Sequence, residues 1–356
     1  MKILTVVGAR PQFIKAAVVS REIRKHASLN EIIVHTGQHY DHNMSAVFFT
    51  EMEIPEPGYN LGIHGTSHGD MTGQMLGKIE DVLLKEVPDL VMVYGDTNST
   101  LAGALAARKL NIRLAHIEAG LRSFNMKMPE EINRILTDRI SDFLFCPTDT
   151  AIANLDREGF ASFGNTVLKT GDVMQDAALF YAQKSADRST IISDAGLDDF
   201  ILCTLHRAEN TDDLDRLRSI IGALNRISKK TPVLLPLHPR TKKIVEANSI
   251  HIGFETIEPV GYFDMIELLK HCKLVMTDSG GIQKEAFFFQ KHCVTLRDDT
   301  EWTELVEKDF NVLAGADAEK IERAYELMLN RSSDFSEDLY GGGTASRRIV
   351  ECLLKN

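Results

Sequence analysis

The sequence predicts an α/β protein built from two Rossmann-like, doubly wound domains. The chain has 356 residues, more than the ~250–300 at which a single hydrophobic core stops growing. Short β-branched apolar runs alternate with longer stretches of helical period, the rhythm of βαβ units on a parallel sheet. That rhythm closes once and resumes after Gly171.

In the first half the expected strands are Met1–Val7, Glu31–Thr36, Asp89–Tyr94 and Arg113–Glu118, followed in turn by helices over Phe13–His26, His42–Glu53, Ser99–Lys109 and Glu130–Ser141. In the second half the expected strands are Phe200–Leu205, Pro232–Leu237, Phe254–Pro259, Leu274–Thr277, Cys293–Arg297 and Asn311–Ala314. Thr166–Asp176 reads as the crossing between domains, and Ala345–Leu354 as a final helix after the turn-forming Gly341–Gly343. The expected boundaries are 1–170 for the first domain, joined by 345–356, and 171–344 for the second.

A net charge of -11 argues against a nucleic-acid partner, because phosphate backbones require clustered Lys and Arg. An anionic ligand must then meet local basic groups. The opening MKILTVVGAR has neither the length nor the flanks of a signal peptide or membrane span, which points to a cytoplasmic protein with no membrane partner. Cys146, Cys203, Cys272, Cys293 and Cys352 are odd in number and widely spaced, mostly in apolar runs, so buried thiols are expected rather than disulfides or a metal site.

Open parallel sheets bind ligands beyond the carboxyl ends of their strands. Polar residues interrupt the apolar pattern at those ends: Arg10, His35, Gln38, Asp96, Glu118, His206, His238 and Ser279. Two such rows facing each other would make one polar interdomain cleft. Asp278-Ser279-Gly280-Gly281 lies between a strand and a helix, so bare N–H groups and a positive helix end are available for a diphosphate. An ordinary N-cap with glycines for a tight turn is the alternative. Glu285, about a turn and a half into that helix, suits a ribose diol or simple solvation.

Gly8–Lys15 forms a strand-to-helix turn without the lysine placement of a P-loop or the glycine spacing of a dinucleotide fingerprint, so neither ATP nor NAD is indicated. Arg10 and Lys15 are placed to face an anion, or are surface cations at a helix start. Asp96, Glu118 and Glu131 are the acid–base candidates; converging carboxylates raise one another's pKa. Taken singly, Asp96 can be a helix cap and Glu131 a complement to a helix dipole. His206 can bind phosphate or transfer a proton. His64 and His68 have a spacing compatible with metal, but their glycine-flanked setting and the absence of an HExxH pattern argue for none.

Together GARPQFIK, YGDTNST, HIEAGLRS, PEEINR, TLHRAEN, LPLHPRT, TDSGGIQKEA and YGGGTAS resemble the non-hydrolysing UDP-N-acetylglucosamine 2-epimerase family over nearly the whole chain. The resemblance implies a glycosyltransferase B type fold, with the active site in the interdomain cleft and the last helix packed on the first domain. It implies a homodimer, a UDP-sugar substrate and no cofactor. It also implies removal of the C2 proton, departure of UDP to leave a glycal-like intermediate, and its return with protonation on the other face. Carried onto this sequence, Asp96, Glu118, Glu131 and His206 are catalytic. Arg10 and Lys15 meet the departing diphosphate, Ser279, Gly280 and Gly281 surround it, and Glu285 meets the ribose. His238, Tyr262 and Arg297 complete the expected substrate-binding set.

Three departures from the family pattern bear on the substrate and its regulation. The loop between GLR and PEE is the short Ser123–Met128, and Trp302 stands where the family's TERPE carries arginine. With EAFFF at Glu285–Phe289, these resemble the branch acting on UDP-2,3-diacetamido-2,3-dideoxy-glucuronic acid, in surface polysaccharide biosynthesis. The alternatives are UDP-N-acetylglucosamine as substrate, or a glycosyltransferase of the same fold. A C6 carboxylate needs a donor, for which Lys127 and Arg122 are candidates by charge. His64–His68 lacks the arginine with which bacterial members hold an activating second substrate, so weak or altered activation is expected.

Overall fold

A computed structural model describes residues 1–38, 53–65, 67–196 and 199–356, leaving out the side chains of residues 10 and 195. The expected helix over His42–Glu53 thus lies, except for Glu53, outside the described residues. The chain forms two compact units, Met1–Ala177 with Asp338–Asn356, and Ala178–Glu337.

In the first unit the order is β1 (Lys2–Val7), α1 (Arg10–Ile23), β2 (Asn30–His35), β3 (Tyr59–Asn60), α2 (His68–Glu86), β4 (Leu90–Tyr94), α3 (Asn98–Lys109), β5 (Arg113–Ile117), α4 (Pro129–Ile140), β6 (Phe143–Cys146), α5 (Asp149–Arg157) and β7 (Thr166–Lys169). The chain then enters α6 (Val173–Arg188), within which one unit gives way to the other. All strands pair parallel in the order β3-β2-β1-β4-β5-β6-β7. The direction of winding therefore reverses between β1 and β4, which opens a crevice at their carboxyl ends.

Parallel strands covered on both faces read as continuous apolar runs. Accordingly β4 (LVMVY) and β6 (FLFC) are buried at every position. α1 starts at Arg10, earlier than expected, because Pro11 suits a first helical turn where no N–H partner is required. Thr166–Asp176 is not a plain crossing: it holds the edge strand β7, Gly171 and the start of α6. At Gly171, φ is +95° and a Cβ would lie 2.4 Å from the Tyr340 carbonyl oxygen, so only glycine admits the returning segment.

The second unit contains α7 (Ile191–Ala195), β8 (Ile201–Thr204), α8 (Ala208–Thr211), α9 (Leu214–Ile227), β9 (Val233–Pro236), α10 (Pro239–Ala247), β10 (Glu255–Ile257), α11 (Tyr262–His271), β11 (Leu274–Thr277), α12 (Gly280–Phe288), β12 (Cys293–Thr295), α13 (Thr303–Glu307), β13 (Asn311–Leu313) and α14 (Ala318–Leu329). Its strands run parallel in the order β10-β9-β8-β11-β12-β13, with the reversal between β8 and β11. Alternate residues of β8 feed opposite faces. Ile201 and Cys203 pack with α9 and α14, while Leu202, with Phe200 just before the strand, packs with α11 and α12.

The last helix, α15 (Ala345–Lys355), packs on α1 of the first unit. The carboxylate of Asp176 accepts from the Ala345 N–H (3.0 Å), the Ser346 N–H (2.8 Å) and the Ser346 hydroxyl (2.5 Å), placing negative charge at the helix start. All five cysteines are free thiols, and burial pushes Cys272 and Cys293 up to about 12. Among the described residues no helix is long and apolar enough to cross a membrane, and no group of three His, Cys, Asp or Glu is placed to hold a metal ion.

Candidate active site

In the first unit, the crevice between β1 and β4 is held open by one buried amide. Gln12 Oε1 accepts from the N–H groups of Gly8 (2.8 Å) and Ala9 (3.0 Å), while its Nε2 donates to the Tyr94 carbonyl (2.7 Å) and the Thr100 hydroxyl (2.9 Å). Four backbone and side-chain partners thereby tie the turn after β1 to the turn after β4. The recess beside it is lined in part by Lys15, Gln38, His68, Asp96, Glu130 and Asn133. Arg10 is the first residue of α1; its side chain lies outside the described residues.

Lys15 and Glu118 form an ion pair in this unit, each side chain about 10% exposed. Glu118 follows β5 with φ +72°, a conformation costly for a non-glycine residue and concentrated at functional sites. The turn at Gly95 approaches this pair so closely that a Cβ there would meet Glu118 Oε2 at 3.2 Å and Lys15 Nζ at 3.4 Å.

Asp96 sits next to that turn. Its Oδ2 accepts from Arg134 Nε at 2.9 Å, and its carbonyl accepts from Asn133 Nδ2 at 2.8 Å. The side chain keeps 34% of its surface accessible, so a substrate can reach it although its carboxylate lies within the recess. Burial and the Glu118 carboxylate push its pKa above the ordinary 3.8, against the pull of Arg134 and Lys15.

Glu131 behaves in the opposite way, which corrects the expectation of three carboxylates raising one another. Burial pushes its pKa up, but the Ser123 and Phe124 N–H groups (both 2.9 Å) and Arg134 outweigh it, holding Glu131 below the ordinary 4.5. Both of its oxygens are occupied, and Glu131 fastens the start of the Ser123–Met128 loop. Asn125 completes the loop: its Oδ1 accepts from the Lys127 N–H (3.1 Å) and its carbonyl from the Met128 N–H (3.0 Å).

The two candidate carboxylate donors separate. Lys127 is exposed on the loop. Arg122 is not available: its side chain is about 1% exposed and its guanidinium donates to both oxygens of Glu158, to Asp138 Oδ2 and to the Leu121 carbonyl. It is a buried structural cation, and its position beside an exposed loop gave no sequence signal of this.

In the second unit the organising residue is Asp278, which the sequence showed only as the first residue of the Asp278–Gly281 turn. Fully buried after β11, it accepts from the N–H groups of His206 (3.0 Å) and Arg207 (2.9 Å), bridging the β8–β11 crevice. Burial, aided by Arg207 and His238, lowers the His206 pKa against the attraction of Asp278, favouring the neutral ring. Ser279 is the N-cap of α12, and its side chain makes no capping bond. A Cβ on Gly281 would meet nothing within 4 Å, so the helix start is open at that point.

Further round this unit, Glu285 is buried in α12, and Tyr262 begins α11 with its ring edge-on to Tyr181 at 5.8 Å. Arg297 is bound to Asp299 (2.9 Å) and Glu301 (3.0 Å). His238 caps α10, accepting from the Arg240 N–H at 3.3 Å. Trp302, at the position expected to have lost a cation, is covered by Lys284 Nζ, 3.9 Å from the ring centroid.

Known proteins match this arrangement along its whole length. The pattern of UDP-N-acetylglucosamine 2-epimerase matches residues 21–354. The UDP-2,3-diacetamido-2,3-dideoxy-D-glucuronate 2-epimerase of Pseudomonas aeruginosa is 59% identical, with 100% of both chains covered. Among solved structures, the Methanocaldococcus jannaschii UDP-GlcNAc 2-epimerase in complex with UDP-GlcNAc and UDP superimposes with a TM-score of 0.91, at 43% identity and 100% coverage of both chains. The Neisseria meningitidis UDP-GlcNAc 2-epimerase bound to UDP-GlcNAc gives 0.89 at 32% identity, again covering 100% of both.

Proposed function

Because the chain belongs to the UDP-N-acetylglucosamine 2-epimerase family, a family of nucleotide-sugar isomerases, we propose that it inverts C2 of UDP-2,3-diacetamido-2,3-dideoxy-D-glucuronate, giving the mannuronate epimer for surface polysaccharide. The observation that carries the chemistry is the pairing of an accessible Asp96, its pKa raised by burial, with the Lys15-bound Glu118 beside the Gly95 turn. A group whose pKa is raised toward neutrality can both take and return a proton.

In this reading Asp96 and Glu118 exchange protons at C2. Lys15, Arg10 and the α12 amino terminus with Ser279, Gly280 and Gly281 meet the charge that develops on departing UDP, which fixed donors stabilise without reorganisation. His206 serves the same diphosphate or relays a proton. Glu131 acts through Arg134 and the loop it fastens. Glu285 meets the ribose, and His238, Tyr262 and Arg297 support the nucleotide. The enzyme works as a cytoplasmic homodimer.

The 59% identity to the diacetamido-uronate enzyme favours this sugar, and Lys127 is the donor proposed for its C6 carboxylate. UDP-N-acetylglucosamine is the second reading, favoured by the 43% identity to the M. jannaschii enzyme. Proton NMR with each UDP-sugar in heavy water separates them. Epimer formation with deuterium at C2 from the uronate is the expected result; turnover of UDP-N-acetylglucosamine alone would reject the preferred sugar. Sugar transfer to an acceptor leaves the C2 proton in place.

A further inference from the structure

We infer that His116, fully buried beneath the site, is a positioning residue that sets Asp96 against Glu118 by holding the Gly95 carbonyl. This rests on the reading of Asp96 and Glu118 as the proton-exchanging pair.

His116 lies on β5, two residues before Glu118. Its Nδ1 is 2.6 Å from Asp138 Oδ1 and its Nε2 is 2.7 Å from the Gly95 carbonyl oxygen, with neither His116 nor Asp138 exposed to solvent. The Gly95 carbonyl only accepts, so Nε2 donates to it, while Nδ1 faces the Asp138 carboxyl group. Burial pushes the Asp138 carboxyl up, but His116 and Arg122 together hold it below its ordinary value.

The geometric consequence lies at Gly95. Its N–H donates to the Ile117 carbonyl at 2.9 Å, immediately before Glu118, and its own carbonyl is held by His116. The peptide planes on both sides of Gly95 are therefore tied to β5, the strand that also delivers Glu118. Asp138 extends the same control past Glu118: its Oδ2 accepts from the Gly120 N–H at 3.1 Å and from Arg122 Nη1 at 2.7 Å. One buried histidine–carboxylate pair thus anchors the turn before Asp96 and the turn after Glu118. Because peptide planes are stiff, releasing the Gly95 carbonyl lets Asp96 move relative to Glu118 while leaving the second unit untouched.

Two amide substitutions separate positioning from packing. A glutamine amide reaches about as far as Nε2, so His116→Gln retains a donor to Gly95. An asparagine amide reaches only about as far as Nδ1, so His116→Asn retains the Asp138 contact and frees Gly95. Each loses one buried hydrogen bond. Initial rates with UDP-2,3-diacetamido-2,3-dideoxy-glucuronate and UDP-N-acetylglucosamine, UDP titration calorimetry and thermal unfolding are to be measured for both variants, with Asp96→Asn as reference.

His116→Asn is expected to lose about 10²-fold in kcat, the scale of a misplaced catalytic group, with KM and UDP affinity within about twofold of wild type. His116→Gln is expected to stay within about tenfold in kcat at a similar melting temperature. Equal kcat in the two folded variants overturns the inference, as does a kcat that simply tracks melting temperature. If His116→Asn does not fold, a folded His116→Gln as inactive as Asp96→Asn overturns it, and one within tenfold of wild type supports it. Wild-type turnover in Asp96→Asn would instead reject the acid–base reading itself, and the inference with it, whatever the His116 variants do.

Discussion

Asp96 and Glu131 share the guanidinium of Arg134: Nε lies 2.9 Å from Asp96 Oδ2, while Nη1 pairs with Glu131. Only one of the two carboxylates is left accessible by this arrangement, 34% for Asp96 against 1% for Glu131. A single cation thus holds two similar side chains, one accessible and one buried.

Asp96→Asn and Glu118→Gln should each lower kcat by about 10²–10⁴, the contribution of one acid or base. UDP binding should be retained, as measured by calorimetry. A near-normal rate removes that residue from the mechanism.

The two carboxylates carry opposite pH signatures although Arg134 pulls both down, because burial and Glu118 prevail at Asp96 while backbone N–H donors prevail at Glu131. Asp96 has a raised pKa, so its protonation stabilises the folded state. That contribution is fully present below its unfolded pKa near the ordinary 3.8, and is lost as pH rises through the higher folded value. Glu131 has a depressed pKa, so its contribution is present above its unfolded pKa near the ordinary 4.5, and is lost as pH falls through the lower folded value. Melting curves should show the first dependence absent from Asp96→Asn and the second absent from Glu131→Gln.

Lys127→Ala should raise KM for the diacetamido-uronate about tenfold, the worth of one charge-assisted hydrogen bond, without changing KM for UDP-N-acetylglucosamine. Equal effects on both sugars would remove Lys127 from carboxylate recognition.

Arg122→Met should instead destabilise the protein by about 3 kcal/mol, because it breaks a buried ion pair and leaves Asp138 only His116 and the Gly120 N–H. Denaturant unfolding measures this. A selective loss of uronate binding at unchanged stability would contradict the structural role.

The plot of rate against substrate should remain hyperbolic, since the His64–His68 stretch carries no arginine to retain a second substrate molecule. Within that stretch Thr66 lies outside the described residues, and His68 starts α2 with Nδ1 3.1 Å from Asn98 Nδ2. A Hill coefficient well above one would show that another cation does the work.

Both parallel sheets were legible because buried strands such as LVMVY and LVMT are apolar without interruption and alternate with helical periods. β6 and β7 were not. FLFC is four residues with no alternation to reveal it, and TVLK is a partly exposed edge strand directly before a glycine turn. Asp96, Glu118 and His206 stood out as polar residues at strand ends. Gln12, His116, Asp138 and Asp278 did not, because their roles depend on burial and on partners remote in the chain, such as Thr100 for Gln12 and Gly95 for His116. Arg134 carried a local signal that was available: it follows Glu131 by three residues, on the same helical face.

Asp176 holds the start of α15, and α15 covers α1. The first unit is therefore assembled from the two extremes of the chain, Met1–Ala177 and Asp338–Asn356, with a complete second unit between them. During synthesis its seven-stranded sheet emerges whole but stays uncovered over α1 until Ala345–Lys355 has been made, whereas the second unit, a continuous segment, is finished first. The unit that holds Asp96 and Glu118 is thus completed only once Asp338–Asn356 has been made, and loss of that segment bares the amino-terminal half.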